Sequence, residues 1–297
     1  MKIQDKDRII CWWSGGITSA VACKLAVDLF GIESCVFIML DTKNEHEDTY
    51  RFKEDCEKWY GKEIESLTVI GEKYNSIQEV WMKNKSLNVA HGAICSSELK
   101  RDVRLKWEKE NEYKHQVFGY DAKEVNRSVS MRLNHPQAKA IFLLLLYSYT
   151  KKDCIDYAIS QGIDIPESYK LGFHNNNCLG TGCVQGGIGY WQKYRKYNLV
   201  GFNEMAKIEH DLTDIKGYPV TMLKDQGKDG GLVFLLPHPE YPNVKDLSMM
   251  KGRPPEPLFE CNGFCGTNDL SPRIKTESEI NFQEEKQQLS IFDISNK

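Results

Sequence analysis

The sequence predicts an α/β protein built on a doubly wound, mostly parallel sheet with a Cys-rich C-terminal extension. Three observations lead there. Short apolar runs at Arg8–Trp13, Cys35–Leu40, Ile64–Ile70 and Gln116–Tyr120 alternate with segments whose apolar residues recur at helical spacing. The run Cys35–Leu40 is apolar throughout, as in a strand covered on both faces. Each strand end, at Trp13, Leu40 and Phe118, is followed by polar or glycine residues (SGG, DT and GYD), the composition that a ligand crevice at the carboxyl edge of a parallel sheet requires.

Taken in order, Arg8–Trp13 is the opening strand, Ser14–Ser19 a tight turn and Ala20–Leu29 a helix. That order makes an anion site. Gly15 and Gly16 can adopt backbone angles closed to other residues and carry no side chain to obstruct a phosphate. The amides that open a helix lack internal partners and favour negative charge. The hydroxyls of Ser14, Thr18 and Ser19 can complete the cradle. No Lys follows the second Gly, so this is neither GxxxxGK(S/T) nor GxGxxG. After the second strand, Asp41 is placed to accept a hydrogen bond from a ribose or an adenine amine, or to help hold Mg²⁺; a turn residue capping the next helix reads the same way. Helices follow at Glu47–Tyr60 and Ile77–Lys83.

The charged helix Ser97–Asn111 is expected to be capped by Ser96 or Ser97, with Lys100, Arg101 and Arg104 on its first turns. Cys95 directly precedes that cap, where a helix N-terminus and nearby cations lower a thiol pKa and raise its nucleophilicity. A solvated charged face gives the same pattern. Downstream of Gly119, Glu124 and Arg127 fall three apart, so Arg127 can grasp a phosphate or sulfate oriented by Glu124, or the two form a structural ion pair. An apolar segment, Ile141–Leu146, precedes a helix opened by Thr150, with Asp153 in its first turn, and stopped at Gly162 before Pro166.

The chain of 297 residues carries a net charge of only −3, so an anion site must be local rather than part of a global basic field. No apolar run reaches membrane-spanning length and MKIQDKDR lacks a signal-peptide core, which makes a cytoplasmic protein with no membrane partner the expectation. Ten cysteines in that setting argue against a disulfide framework. Cys11, Cys23, Cys35, Cys56 and Cys154 sit in apolar or helical stretches and read as small buried hydrophobes. Cys178-x4-Cys183 and Cys261-x3-Cys265 instead lie in Gly-rich turns that let four thiolates converge on one metal, either zinc or a 4Fe–4S cluster. His174 is an alternative ligand.

In order along the chain, SGGITS, Gly119 with Glu124 and Arg127, the YTKKDCIDYAI helix and IPESYKLGFHNNNC…C resemble the phosphoadenosine phosphosulfate (PAPS) reductase family, within the PP-loop ATP pyrophosphatase superfamily. The similarity spans about Arg8 to Cys183. The resemblance implies a five-stranded sheet of adenine nucleotide α-hydrolase type, ATP or an adenylyl sulfate with Mg²⁺ at the SGG turn, and chemistry at the α-phosphate or at a sulfur attached to it. The family also embraces sulfate adenylyltransferase small subunits and DNA-phosphorothioation sulfurtransferases, which makes a nucleic-acid substrate an expectation. Two departures stand out. Many members carry Asp where this chain has Thr18, and the ECGLH motif of the reductases proper is replaced by ECNGFCG at Glu260–Gly266. The expectation is therefore an ATP pyrophosphatase, adenylyltransferase or sulfurtransferase rather than a PAPS reductase, in which Cys95, Lys100, Arg101 and Arg127 carry the chemistry. Ser14, Gly15, Gly16, Thr18, Ser19, Asp41, Gly119 and Glu124 would bind the nucleotide.

The segment holding Tyr190, Trp191, Lys193, Tyr194, Arg195, Lys196 and Tyr197 interleaves aromatics with bases, which suits stacking on a nucleic-acid strand or, equally, packing of an amphipathic helix. Beyond it a glycine-hinged loop and a short strand lead to Cys261. The tail from Ser271 is polar and charge-rich. Within it Gln288, Leu289, Ser290, Ile291 and Phe292 resemble the peptide by which bacterial replication proteins dock on the DNA polymerase sliding clamp, with apolar anchors on a solvated tether. The second reading is accordingly a non-catalytic, metal-stapled nucleotide-binding protein recruited to DNA through that clamp. Three units follow: a nucleotide-binding domain at 1–165, a Cys-rich subdomain closing a metal site at 166–270, and a tail at 271–297.

Overall fold

A computed structural model describes residues 7–89, 92–176, 178–227, 230–256 and 258. Cys261, Cys265 and the Gln288–Phe292 peptide lie outside the described residues. The chain opens with β1 (Ile9–Trp12), α1 (Ile17–Phe30), β2 (Cys35–Leu40), α2 (Glu47–Tyr60), β3 (Ile64–Leu67) and α3 (Ile77–Asn84). A small hairpin, β4 (Asn88–Val89) and β5 (Gly92–Ala93), leads into α4 (Ile94–Ser96), a π-type turn at Ser97–Arg101 and α5 (Asp102–Glu110). Then come β6 (His115–Val117), α6 (Val125–Asn134), β7 (Ala140–Ile141), α7 (Leu143–Leu146), α8 (Lys151–Ser160) and α9 (Glu167–Lys170). The C-terminal part holds α10 (Ile188–Tyr197), α11 (Leu199–Lys216), β8 (Leu223–Asp225), β9 (Gly231–Phe234) and β10 (Lys245–Asp246).

The central sheet has five strands in the order β3-β2-β1-β6-β7, and every pairing in it is parallel. The chain winds outward from β1 to β3, then returns to the other side of β1 at β6. That reversal leaves a crevice between the carboxyl ends of β1 and β6, where ligands of such sheets bind. The sheet is buried on both faces because side chains alternate along each strand. On one face Ile9, Cys11 and Trp13 pack with residues of α1, α2 and α8, while on the other Ile10 and Trp12 pack with Trp107, Phe118, Tyr120 and Met131. β2 contributes to both, which is why its sequence is apolar without alternation.

Three boundaries differ from the sequence reading. α1 begins at Ile17 rather than Ala20, because Gly16 in extended conformation (φ −89°, ψ 157°) serves as its N-cap and the Ser19 hydroxyl folds back to the Gly16 carbonyl at 2.8 Å. Thr18 and Ser19 thus belong to the helix rather than to the turn before it. The helical stretch around Cys95 also begins early, with Ala93 as its cap. Ser96 and Ser97 adopt helical angles and do not cap it. The third strand stops at Leu67, short of the expected Ile70. Thr150 and Asp153 form the expected reciprocal capping box of α8, and Gly162 takes φ 76° just past its end.

A second core lies beside the sheet. It gathers Trp81 of α3, Leu99 and Cys95 with Phe173, Trp191, Tyr194, Phe202 and Leu212, and it carries a small sheet in the order β10-β9-β8. Glu209 is fully buried there, accepting the backbone N–H of Met222 and of Leu235, each at 2.7 Å. Among the described residues no helix is long and apolar enough to cross a membrane.

Candidate functional site: the crevice at the carboxyl edge

The turn after β1 is held from several sides. Gly15 has φ +85°, which favours glycine, and a Cβ there would also lie 2.9 Å from Thr49 Cγ2. Gly16 has ordinary extended angles, which other residues adopt as readily, and serves as the N-cap of α1. Ser14 donates its N–H (3.0 Å) and its hydroxyl (2.9 Å) to Ser19 Oγ. Asn176 closes the cradle from the far side, donating from Nδ2 to the Gly15 carbonyl at 2.9 Å and to Thr49 Oγ1 at 3.0 Å. The Ile17 amide donates to the Tyr169 hydroxyl at 3.1 Å. α1 has no acidic residue in its first turn and no side-chain cap. The Thr18 hydroxyl is buried with no hydrogen-bond partner among the described residues. Uncapped amides, a positive helix end and an orphaned hydroxyl make a receptor for an anion.

Gly119 acts by proximity. A Cβ on it would stand 2.5 Å from both N and Cα of Ser19, so only glycine lets the end of β6 press against the first turn of α1. Beyond it, Arg127 is buried, donates to Glu124 Oε1 at 2.7 Å and lies 4.4 Å over the Tyr120 ring. The two residues expected to act together do meet. Asp41 is also buried. It accepts from Lys43 through the amide (2.8 Å) and Nζ (2.7 Å) and from the Tyr50 hydroxyl at 3.1 Å, and burial, reinforced by Asp41, pushes the Tyr50 phenol pKa up.

The three bases expected near one helix end diverge. The π-type turn sends Lys100 inward to Glu45 Oε1 at 3.7 Å, while Arg101 faces Asp102 at 3.4 Å. Arg104 is fully buried and paired with Glu108, and burial lowers its pKa. Cys95 is itself buried, in the second core. Lys100 and Cys95 meet a third element, the turn carrying Cys178, whose backbone takes φ +48°. The Cys178 thiol is raised well above its ordinary pKa, first by burial and then by the Glu45 carboxylate, with Cys183 and Cys95 adding and Lys100 opposing. Glu45 organises this corner: it accepts from the Cys178 N–H at 3.2 Å and the Thr42 hydroxyl at 2.9 Å while facing Lys100.

Of the cysteine quartet, only Cys178 and Cys183 fall among the described residues, and no group of three or more His, Cys, Asp or Glu there is arranged to hold a metal. His174 is exposed, and its carbonyl accepts from Lys151 Nζ at 2.9 Å. The aromatic residues around α10 face inward. Tyr190, Trp191 and Tyr194 are core, which removes them as stacking platforms, while Arg195 and Lys196 face solvent.

A family model described as the phosphoadenosine phosphosulfate reductase domain matches residues 8–184, more than half of the 297. The chain belongs to the PAPS reductase domain family. The match ends one residue beyond Cys183, so it takes in the whole central sheet, the SGG turn, Gly119 to Arg127 and the HNNNC segment. A nucleotide-binding function of α-hydrolase type goes with this domain. No curated protein matches the sequence.

Sequence reasoning missed Glu45, Asn176 and Tyr169. Glu45 had a signal, since it lies in a polar run directly after a wholly apolar strand. Asn176 lies in the HNNNC run, where a histidine is the residue type with the more familiar ligand chemistry. Tyr169 lies in the same IPESYKLGFHNNNC motif, but nothing in its spacing points to Ile17, since their contact joins residues 152 apart.

Proposed function

We propose that this chain is an enzyme that binds ATP or an adenylyl sulfate with Mg²⁺ in the crevice and acts at the α-phosphate, or at the sulfur attached to it, in the sulfur modification of nucleic acid. The observation that carries this reading is the opening of α1: uncapped, free of acidic residues in its first turn, and flanked by a buried Thr18 hydroxyl without a partner among the described residues. With ATP, a nucleophile attacks the α-phosphorus, the bond to the β-bridging oxygen breaks, and pyrophosphate departs with its electron pair onto the amides of the turn. Gly15, Gly16, Thr18 and Ser19 hold that leaving group. Arg127, oriented by Glu124, offsets charge on the far wall, and Lys100 does so from the Cys178 side.

A metal belongs to the same reading. Leu258 donates its N–H to Asn175 Oδ1 at 3.1 Å, and Glu256 accepts the N–H groups of Gly189 and Tyr190, so the C-terminal segment returns to the HNNNC turn. Cys261 follows three residues after Leu258, a reach of at most about 11 Å. Cys178 and Cys183 with Cys261 and Cys265 would hold zinc or a 4Fe–4S cluster, closing residues 166–270 onto the nucleotide domain. Zinc would supply scaffolding, and a 4Fe–4S cluster sulfur chemistry. Metal and sulfide analysis with a visible spectrum on anaerobically purified protein separates the two.

The test of function is formation of AMP or pyrophosphate from ATP, and of AMP from an adenylyl sulfate, by wild type and by Gly16→Asp. Turnover in wild type and none in the variant is expected. No turnover of either nucleotide, with sulfur donors and nucleic acid supplied, would contradict it.

A further inference from the structure

The outer face of α10 forms one wall of an open cleft of about 920 Å³, lined by Gln192, Lys193, Arg195, Lys196, Arg253 and Pro255 among others. Several surface lysines on other helices are neutralised within their own helix: Lys24 by Asp28, Lys53 by Glu57, Lys83 by Glu79 and Lys207 by Asp211. Lys193, Arg195 and Lys196 have no carboxylate partner among the described residues. Of the bases lining the cleft, Arg253 alone has an acidic neighbour there, Glu256 at 4.0 Å. The inward face of the same helix explains the sequence pattern, because Tyr190, Trp191 and Tyr194 fill the core and leave the intervening bases to the outside. Three like charges within one helical turn, roughly 5 Å along the axis, repel one another unless an anion lies across them.

The wall of the cleft also adjoins the site. Lys193 Nζ, on its lining, lies over the Phe173 ring, 5.4 Å from its centroid, and would be 3.2 Å from a Cβ on Gly172. From Phe173 the chain runs three residues to Asn176, which grips the SGG turn. One turn further along α10, Tyr197 meets His46 Nε2 at 2.5 Å, at the N-terminus of α2 on the carboxyl edge of the sheet.

We propose that this cleft binds the phosphate backbone of a nucleic-acid strand and leads it to the nucleotide crevice. A phosphate backbone offers several anions at once to Lys193, Arg195, Lys196 and Arg253, and the wall of the cleft is continuous with the site. That the strand is the acceptor of the reaction rests on the function proposed above; binding in the cleft does not.

The test is a titration of a fluorescent single-stranded oligonucleotide into the full chain at several salt concentrations, with wild type, Arg195→Gln/Lys196→Gln and the control Lys207→Gln/Lys216→Gln. Arg195 and Lys196 are exposed, so the double variant keeps its fold, which circular dichroism checks. At least tenfold weaker binding is expected for the cleft variant alone. The slope of log K against log salt should become shallower by about 1.4, from two lost phosphate contacts on a single strand. Equal affinity in all three proteins, no salt-dependent binding, or binding to anionic phosphatidylglycerol vesicles without oligonucleotide binding would overturn the proposal. Calorimetry with Mg-ATP, run in parallel, should give the same heat for wild type and cleft variant. Loss of that heat in wild type with oligonucleotide binding intact would remove the nucleotide reading and leave the cleft standing.

Discussion

Two glycine-bearing turns face the same crevice, and they differ in how far the protein engages their backbone amides. In the turn after β1, Ser14 N–H and Ile17 N–H are taken by Ser19 Oγ and the Tyr169 hydroxyl, but α1 has no capping side chain and no acidic residue in its first turn. In the Cys178 turn the polar backbone is engaged by the protein itself: Cys178 N–H by Glu45, Gly180 N–H by the Asn44 carbonyl at 3.1 Å, Cys183 N–H by the Tyr190 hydroxyl at 3.0 Å. The Tyr194 hydroxyl donates to the Gly180 carbonyl at 3.1 Å. Glu209 repeats the device deeper in the second core with two amides on one buried carboxylate. A turn that takes a ligand through its backbone must leave part of that backbone unsatisfied, whereas a turn that presents side chains must fix it.

The contrast can be broken from either side. The largest effect is expected from Glu45→Ala, which frees the Cys178 turn and removes the carboxylate that faces buried Lys100: a loss of about 3–5 kcal/mol, read by denaturant unfolding. A variant within 1 kcal/mol of wild type would mean that Glu45 is not what fixes this turn. Next is the pH dependence set by Glu209, whose pKa burial raises from 4.5 to about 8. Its folded pKa lies above its unfolded one, so its contribution is complete below pH 4.5 and is lost as pH rises to about 8. Stability should decline across that window by up to about 1.4 kcal/mol per pH unit, and Glu209→Gln should flatten the decline. An unchanged profile in the variant would assign the effect elsewhere. Smaller again is Gly119→Ala, whose new methyl meets the Ser19 backbone; a cost of about 1–3 kcal/mol is expected, together with weakened ATP binding as α1 is pushed from the crevice.

The sheet was legible because its signals are local. An apolar run bounded by polar residues gave β2 to the residue, and Thr150 with Asp153 gave α8 its start. The SGG turn was legible as an anion site for the same reason, since glycines, hydroxyls and a helix start are neighbours in sequence. What failed was side-chain direction over longer distances. Lys100, Arg101 and Arg104 look like one basic cluster in sequence, yet the π-type turn separates them into the crevice, the surface and the core. Cys95 and Cys178 lie far apart in sequence, and what joins them, Glu45 and the turn at Asn44, is set by packing that no spacing reveals. The aromatic and basic residues of α10 carry both readings in one string, and only the second core shows which face is which.

The measurement closest to the central claim is calorimetric titration of Mg-ATP into wild type and Gly16→Asp. Gly16 is the extended N-cap of α1, a position where Asp is at home and stabilises a helix by a few tenths of a kcal/mol relative to Gly. The variant should therefore melt no lower than wild type, while its carboxylate occupies the amides intended for phosphate. One-to-one binding in wild type and none in an equally stable variant is expected. Equal heats in both proteins, or none in wild type, would contradict the claim that these amides seat the nucleotide.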